Sequence, residues 1–456
     1  MKKYFNFLLS FFCLLILNQS NFIFGDDCNK CVTSDCPTDS KTFFRTRSII
    51  EDVSLFLGLN QYNYYRRYFE PDACDSKDER IHIAVGTFFE QSRCKSKNNV
   101  GNFFFSGSAD ENNEEPEPNA TESIITVDPE RKIAGAYFDY HQDFCFCDGL
   151  WLDVKFAIYQ ATHNLHAKEK FLRTVTETDC TPLAFMSSDE LKFGRISCSE
   201  LKKVGFDDIE VKLGYYPFNC NENGYLGLYA SAILPIADRP SASYLFEPLV
   251  GRGHWGLGVG ANAAYNVYRC ENSAITILTD LSYQYLFKKC ELRSLDFKQG
   301  QLTRFVVLNA QNSVAQGVPA INLTTLNLQV EPRGVINFWL ASHLQYCRWH
   351  AEVGYNLWWR QSEKVCFPQK CKTTNFDSLG FFDEDNTFIP LTLDNLDLAS
   401  TANPRTLTNK IYLALSYDVE ACCRPINIGL GGSYEFSRNI NAMEQWGVWV
   451  NIETSF

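Results

Sequence analysis

Alternation with a period of two in the last twelve residues constrains the fold of this chain more than any other feature. One face of residues 445–456 carries Trp446, Val448, Val450, Ile452, Thr454 and Phe456, and the other carries Gly447, Trp449, Asn451, Glu453 and Ser455. Strict alternation of this kind predicts a β-strand with one apolar face. The stretch also has about the 9–11 residues that a tilted strand needs to cross a bilayer.

The same alternation recurs upstream, starting at Arg80. Together with the last stretch it predicts twelve strands. The apolar positions begin, in order, at Ile81, Ala134, Leu152, Ile209, Leu226, Trp255, Ile275, Ile336, Trp349, Ile411, Ile426 and Trp446. Residues 304–308 and 321–330 are candidates for a further hairpin, which would raise the number to fourteen.

The predicted connections alternate between short and long. Short turns fall at 145–149, 219–224, 269–273, 347–348 and 422–425, whereas long insertions fall at 92–131, 162–205, 288–332 and 362–408. Since hairpin strands run in opposite directions, all the short turns lie at one end of the sheet and most long insertions at the other. Sorting of loop lengths by end is typical of membrane barrels, whereas a soluble sandwich has no reason to show it.

The chain resembles bacterial outer-membrane β-barrels of the porin-like kind, although no subfamily is identified. The features that carry the resemblance are the sorting of short and long connections to opposite ends, the even strand number and a last strand that ends on Phe456. The resemblance covers residues 80–456. It implies an all-β, antiparallel transmembrane barrel with long extracellular loops and short periplasmic turns. It further implies a location in the bacterial outer membrane, contact with outer-membrane lipid, and assembly by the barrel-assembly machinery through the C-terminal strand.

The N-terminus has the features of an export signal. Lys2 and Lys3 precede an apolar run from Phe5 to Leu17, and cleavage near Gly25 predicts a signal peptide over residues 1–25. Residues 26–79 then form a separate segment with helical spacing of apolar residues around 49–57. The segment is either a periplasmic helix, which we favour, or a plug inside the barrel.

Cysteine is abundant, with 18 residues in the chain. Export exposes thiols to an oxidising compartment, so disulfides are expected, although their connectivity cannot be deduced. Cys28, Cys31 and Cys36 lack a second CxxC pair and a nearby His, which favours local disulfides over zinc. We expect neither a metal nor a cofactor.

Aromatic residues of the apolar face cluster where predicted strands end. Trp255, Trp359 and Trp446 fall at the long-loop end, and Trp349 and Phe456 at the short-turn end. Aromatic belts of this kind mark the two interfaces of a membrane. We therefore expect these five residues to form membrane girdles.

The opposite face of the predicted strands is polar and mostly acidic. The expected lumen-lining residues are Asp139, Asp153, Lys155, Glu210, Lys212, Asp280, Glu352, Arg360, Asp418 and Glu435. Carboxylates in a narrow lumen attract cations and repel anions. The sequence therefore predicts a passive channel for small solutes that prefers cations, and the formal net charge of −12 argues against a nucleic-acid partner.

Two other classes of function are weighed against the channel. A barrel enzyme is disfavoured, because His82, His141, His254, His343 and His350 fall on the inward face, and His163 and His166 lie in a loop without a defined partner. A non-conducting barrel that binds or supports other molecules through its long, cysteine-containing loops is the alternative that stays open.

Overall fold

The computed structural model describes residues 31–33, 80–92, 98–105, 121–144, 146–147, 149–173, 181–221, 224–270, 272–300, 302–310, 317–368, 379–382, 388–421, 424–437 and 442–455. The chain divides into two compact units, residues 1–31 and 32–456, and the long strands and their loops all belong to the second unit. The predicted signal peptide, and the predicted helix or plug within 26–79, lie outside the described residues apart from a short strand at Cys31–Thr33.

Twelve long strands form one antiparallel sheet. They are β1 Arg80–Ser92, β2 Glu130–Asp143, β3 Leu150–Asn164, β4 Ile209–Asn221, β5 Gly224–Leu234, β6 Gly256–Cys270, β7 Ser273–Leu286, β8 Arg333–Tyr346, β9 Trp349–Arg360, β10 Thr406–Ala421, β11 Arg424–Phe436 and β12 Gln445–Ser455. Each strand pairs with its neighbours in sequence, as alternating hairpins require.

The sheet closes on itself, because the last strand pairs with the first. β12 pairs with β1 from His82 opposite Ser455 to Ser92 opposite Gln445. A closed ladder leaves no exposed sheet edge and forms a barrel. The predicted all-β antiparallel barrel of twelve strands is therefore confirmed.

The two faces of each strand differ in burial as the alternation predicts. In β12, Trp446, Val448, Val450 and Ile452 are exposed on the outside of the barrel. The residues between them, from Gly447 to Glu453, are buried on the inside. The parity of the strand, rather than the identity of single residues, decides which side chains point inward.

One neighbour of β3 is divided into two parts. The turn-end half of β3 pairs with β4, from Leu150 opposite Tyr215. Its loop-end half pairs instead with a strand at Leu201–Phe206. Between the two partners lie Asp207 and Asp208, and the Asp208 carboxylate accepts backbone N–H groups of Arg252 and Gly253, each at 2.9 Å. The break therefore anchors the loop between β5 and β6.

The connections carry shorter elements at the long-loop end of the barrel. The strands are Asn98–Phe105, Thr121–Val127, Lys168–Arg173, Lys289–Ser294, Asp296–Phe297, Val307–Ala310, Val318–Pro319, Thr325–Glu331, Lys364–Cys366, Leu379–Phe382, Phe388–Pro390 and Leu396–Asp397. The α-helices are α1 Pro182–Ser187 and α2 Ile321–Thr324, and 3-10 turns occur at Thr303–Phe305, Leu393–Asn395 and Leu398–Thr401. Among the described residues, no helix is long and apolar enough to span a membrane.

The proposed extra hairpin is wrong as a part of the barrel. Strand Thr325–Glu331 pairs with Lys289–Ser294 in a small separate sheet. Residues 303–305 form a 3-10 turn and residues 321–324 a helix. Their apolar residues therefore serve a core outside the barrel, which the local alternation could not distinguish from a membrane-facing strand.

Two apolar cores lie among the long loops. The first loop core draws on the loops after β1, β3, β5, β7 and β11; it comprises Ile125, Val127, Leu165, Phe185, Met186, Leu191, Ile196, Leu245, Phe246, Phe305, Ile321 and Met443. The second loop core joins the loops after β7 and β9; it comprises Leu295, Phe297, Leu308, Ala320, Leu328, Val330, Val365, Leu391, Leu396, Leu398 and Ala402. The long connections are thus packed against one another.

Inside the barrel, aromatic rings lie over glycines of neighbouring strands. The Tyr412 ring on β10 occupies the position that a Cβ atom at Gly354 on β9 would take, and the Trp449 ring does the same at Gly431. A side chain at either glycine would displace a buried ring. These two glycines are therefore required by close approach.

We expect Gly354→Ala to destabilise the barrel by about 1–3 kcal/mol, because the new methyl group must push the Tyr412 ring away. Gly432→Ala is the matched control, since the nearest atom to its added Cβ, the Gly447 carbonyl oxygen, lies at 3.5 Å. Urea unfolding midpoints in detergent micelles, followed by tryptophan fluorescence, compare the two. Equal midpoints for both variants would contradict the requirement for glycine at position 354.

Candidate functional site: the inward wall of the barrel

The inward wall of the described strands is rich in buried charge. The buried carboxylates are Glu90, Asp139, Asp153, Asp280, Glu352, Asp418, Glu435 and Glu453, and the buried cations are Arg131, Lys155, Lys212, Arg360 and Lys410. Buried ions are stable in a protein only when they are paired and hydrogen-bonded. The wall is therefore best described by its clusters of paired groups.

The ten residues expected to line a lumen occupy this inward wall. Nine are buried, and Glu210 is partly exposed. Of the expected girdle residues, Trp255, Trp349 and Trp446 are exposed on the outside of the barrel. Trp359 is half-buried, and Phe456 lies outside the described residues. It stays a prediction that the ten inward residues line a conducting pore. It also stays a prediction that the girdle residues contact a membrane interface.

A middle cluster is centred on the fully buried Lys155 of β3. Its Nζ lies 3.5 Å from Asp139 Oδ2 on β2 and 3.6 Å from Asp153 Oδ1 on its own strand. Asp153 also approaches His141, with 3.7 Å between Oδ2 and Nδ1. One cation thus serves two carboxylates, and the sequence alternation had placed all three on the inward face.

The middle cluster continues around the wall towards β7. Lys212 Nζ lies 3.7 Å from Glu210 Oε2 and 5.0 Å from the centre of the Tyr229 ring. Tyr229 donates its hydroxyl proton to Asp280 Oδ1 at 2.7 Å. Gln284 Nε2 donates to Glu210 Oε1 at 2.6 Å. Asp280 and Glu210 are therefore held by donors from strands two and three positions away around the barrel.

A second cluster lies near the long-loop end, and of its members only Glu435 was predicted from the sequence. Lys410 Nζ lies 3.2 Å from Glu435 Oε2 and 3.5 Å from Glu90 Oε1. Gln445 Nε2 donates to Glu435 at 2.8 Å, and Arg131 Nη2 donates to Gln445 Oε1 at 2.6 Å. The alternation could have predicted the other members, because Glu90, Lys410 and Arg131 occupy inward positions in the period-two pattern of their strands.

At the short-turn end the inward wall carries histidines paired with carboxylates. His82 Nε2 lies 3.7 Å from Glu453 Oε2, and its Nδ1 is 3.0 Å from Ser455 Oγ. Glu352 and Asp418 each hydrogen-bond to a histidine, His343 and His350 respectively. The sequence placed these histidines inward, but it gave no indication that they contact one another or the carboxylates.

The long loops hold a separate ionic cluster outside the barrel strands. The buried Arg293 donates to Glu291 Oε2 at 2.8 Å and lies 3.4 Å from Glu363 Oε2. His254 Nε2 is 2.9 Å from Glu291 Oε1. Glu363 in turn accepts the backbone N–H of Asn403 at 3.0 Å. These contacts join the loops that follow β5, β7 and β9.

A second buried ion pair of the loops joins Asp296 and Arg304. Arg304 donates through Nε to Asp296 Oδ1 at 2.7 Å and through Nη2 to Oδ2 at 2.8 Å. Burial by itself would raise the pKa of the Asp296 carboxyl, but the charge and hydrogen bonds of Arg304 hold that pKa below its usual value. The carboxylate form of Asp296 therefore stabilises the folded loops.

Cysteines mark the short turns. Cys147, Cys270 and Cys347 lie at three of these turns, and all three are free and exposed. Cys198 and Cys290 are also free and exposed, in the long loops. Cys366, by contrast, is disulfide-bonded. The expectation of general disulfide pairing is therefore not met at these five positions.

The outer surface of the barrel carries a band of exposed apolar side chains, such as Val259, Leu430 and Ile452, each more than half exposed. Contiguous apolar patches of this extent are rare on soluble monomeric proteins and are typical of surfaces that contact a membrane or another protein. The protein has the β-barrel fold of outer-membrane proteins.

The comparisons with known proteins yielded solved structures but no sequence family. No protein-family model and no curated protein matches the chain. An outer membrane channel from Pseudomonas putida F1 is 10% identical, covers 82% of this chain and 95% of its own, and has a TM-score of 0.39. A FadL homologue from Pseudomonas aeruginosa is 9% identical, with coverages of 85% and 92% and a TM-score of 0.30. The translocator domain of the autotransporter NalP from Neisseria meningitidis is 8% identical, with coverages of 88% and 97% and a TM-score of 0.25.

The two histidines that raised the question of catalysis have structural partners, and the prediction that both lie in a loop is wrong for His163, which belongs to β3. His163 is buried, stacks on Phe246 with ring centroids 4.3 Å apart, and its Nδ1 lies 3.0 Å from the Phe246 carbonyl oxygen. His166 Nε2 is 3.1 Å from Glu130 Oε2. In the described part of the chain no group of three or more His, Cys, Asp or Glu is arranged for a metal ion. The expectation of no enzymatic activity stays a prediction.

We expect Lys155→Met to destabilise the barrel by about 3–5 kcal/mol, because Asp139 and Asp153 would remain buried without their shared cation. Lys132→Met is the matched control, since Lys132 is about one-third exposed and lies 3.3 Å from Glu130 and 3.7 Å from Glu200. Its loss should change stability by no more than about 1 kcal/mol. Urea titrations of both refolded proteins give the two values, and equal losses would contradict the assignment of a buried, structural Lys155.

We expect Asp296→Asn to loosen the long loops at neutral pH and to matter less in acid. Because the pKa of Asp296 is lowered by folding, its contribution is complete above the unfolded pKa and is lost as the pH falls through the folded pKa. Hydrogen exchange of residues 295–306, corrected for the intrinsic rate, measures the difference from wild type between pH 6 and pH 3. Asp189→Asn, at an exposed ion pair with Arg195, should leave this exchange unchanged. A difference between Asp296→Asn and wild type that does not shrink in acid would refute the linkage.

Proposed function

We propose that this protein is a bacterial outer-membrane barrel that passes small solutes and prefers cations. The observation that carries the proposal is the composition of the inward wall, where buried carboxylates outnumber buried cations in the described strands. A barrel with only a structural role would be served equally well by apolar side chains inside. Charge of one sign inside a low-dielectric wall concentrates counterions and repels ions of the same sign.

Export and assembly belong to the same proposal. The signal over residues 1–25 would deliver the chain across the inner membrane, and β12 with the terminal Phe456 would be read by the barrel-assembly machinery. In this arrangement the exposed apolar band contacts lipid, and the tryptophans at its edges contact the headgroup region. The short turns would then face the periplasm and the long loops the exterior.

The described arrangement fits a closed state of such a channel. Inward side chains are buried and paired, and the long loops share two apolar cores. Conduction therefore needs a rearrangement of loops or wall. A permeating cation would compete with the lysine and arginine side chains for the wall carboxylates. It would therefore replace the ion pairs that now close the wall.

We expect single-channel currents in a planar bilayer, with a cation-selective reversal potential under a salt gradient. Asp280→Asn should move that potential towards zero, because it removes a wall carboxylate and keeps an oxygen that can accept the Tyr229 hydroxyl. Asp238→Asn is the control, since Asp238 is an exposed loop residue paired with Lys203. A reversal potential that Asp280→Asn leaves unaltered would refute the role of the wall charge.

The second candidate is a non-conducting surface barrel, and the packed loops favour it. Loop cores that hold the long connections together would present a fixed surface to other molecules. Insertion verified by a heat-dependent gel shift, but without current steps at any applied voltage, would support this candidate over the channel.

A further inference from the structure

Two histidines at the short-turn end lie in an unbroken chain of hydrogen bonds between two carboxylates. His343 Nδ1 is 3.0 Å from Glu352 Oε2, and His343 Nε2 is 3.1 Å from His350 Nδ1. His350 Nε2 is 2.9 Å from Asp418 Oδ2. All four side chains are buried. The chain crosses three neighbouring strands, β8, β9 and β10.

Counting protons shows that this chain holds one more than its neutral imidazoles can supply. Each of the three hydrogen bonds needs one proton between its two heavy atoms. Two neutral imidazole rings carry one N–H each and therefore supply two protons, and ionised carboxylates supply none. The third proton must be an additional one that is shared along the chain.

The position of the extra proton follows from the donors at the two ends. Tyr412 donates its hydroxyl to Glu352 Oε1 at 2.6 Å, and Asn427 Nδ2 donates to Asp418 Oδ1 at 2.9 Å. Both carboxylates thus accept hydrogen bonds at both oxygens, which favours their ionised form. The extra proton therefore resides on the imidazole pair, which carries a single positive charge.

We propose that His343 and His350 form a proton-sharing pair whose uptake of a second proton is an acid switch at the short-turn end of the barrel. With both rings cationic, N–H groups of His343 and His350 face each other where one hydrogen bond now joins them. The hydrogen bond between His343 and His350 is then lost. Because the two positively charged rings repel each other, they must move apart. This inference does not depend on conduction.

The residues around His343 and His350 determine how the two rings can move apart. In the adjacent register, Thr276 of β7 lies opposite His343, and Ser416 of β10 lies opposite His350. The titratable groups that bond into the chain are Glu352, Asp418 and Tyr412; Glu453 and His82 follow around the same end of the wall. Since the turn at Cys347 joins β8 and β9, separation of the rings would rearrange this hairpin end.

The test is a nitrogen-15 NMR titration of the full-length protein, refolded in micelles and labelled at its seven histidines. At pH 7.5 we expect one bare ring nitrogen in total across His343 and His350. On acidification that signal should disappear, together with the proton–proton contact between the two rings. Two bare nitrogens at pH 7.5, or a ring contact that survives the second protonation, would overturn the proposal.

Two isosteric variants remove one end of the chain each. Asp418→Asn should cost the pair its extra proton at pH 7.5, because one of the two anions that stabilise it is gone, so a second bare nitrogen should appear. Glu352→Gln should act in the same way and serves if Asp418→Asn does not refold. His166→Gln, at an exposed loop site, is the control and should leave the pair unchanged. A pair that keeps a single bare nitrogen in both carboxylate variants would show that the carboxylates do not hold the extra proton, and it would refute the charge assignment on which the switch rests.

Discussion

Closure of the backbone hydrogen-bond ladder between β1 and β12 is the constraint on which the rest of the structure depends. In an apolar surrounding, unpaired N–H and C=O groups cost several kcal/mol each, so strands can cross only as part of a closed sheet. Pairing of His82 with Ser455 through Ser92 with Gln445 joins residues from opposite ends of the chain and leaves no edge. The inward and outward faces are defined only once this pairing exists.

Closure also sets the chemistry of the interior. Side chains that point inward meet one another instead of bulk water, so each charge needs a partner elsewhere on the wall. Lys155 between two aspartates and Lys410 between two glutamates show the same solution at different heights of the wall. A wall built in this way can be both stable and acidic, because Lys155 and Lys410 each pair with two carboxylates.

Strands and faces could be predicted from the sequence because both follow from local parity. The alternation in β12, and its recurrence from Arg80, decided the strand number, the closed barrel and the side of each residue. Contacts inside could not be predicted, because they join distant positions; Arg131 and Gln445, for example, are separated by 314 residues. The same holds for the loops: Thr325–Glu331 alternates like a barrel strand, and only its pairing with Lys289–Ser294 shows that it belongs elsewhere.

Exposed thiols lie at both ends of the barrel, and those of Cys147, Cys270 and Cys347 lie at the short-turn end. A bulky maleimide that cannot cross a bilayer would reach these three sulfurs from one aqueous compartment alone. Cys198 and Cys290, in the long loops, would be reached from the other. The native sequence thus carries its own markers of sidedness, and the orientation of the inserted protein can be read without adding a tag.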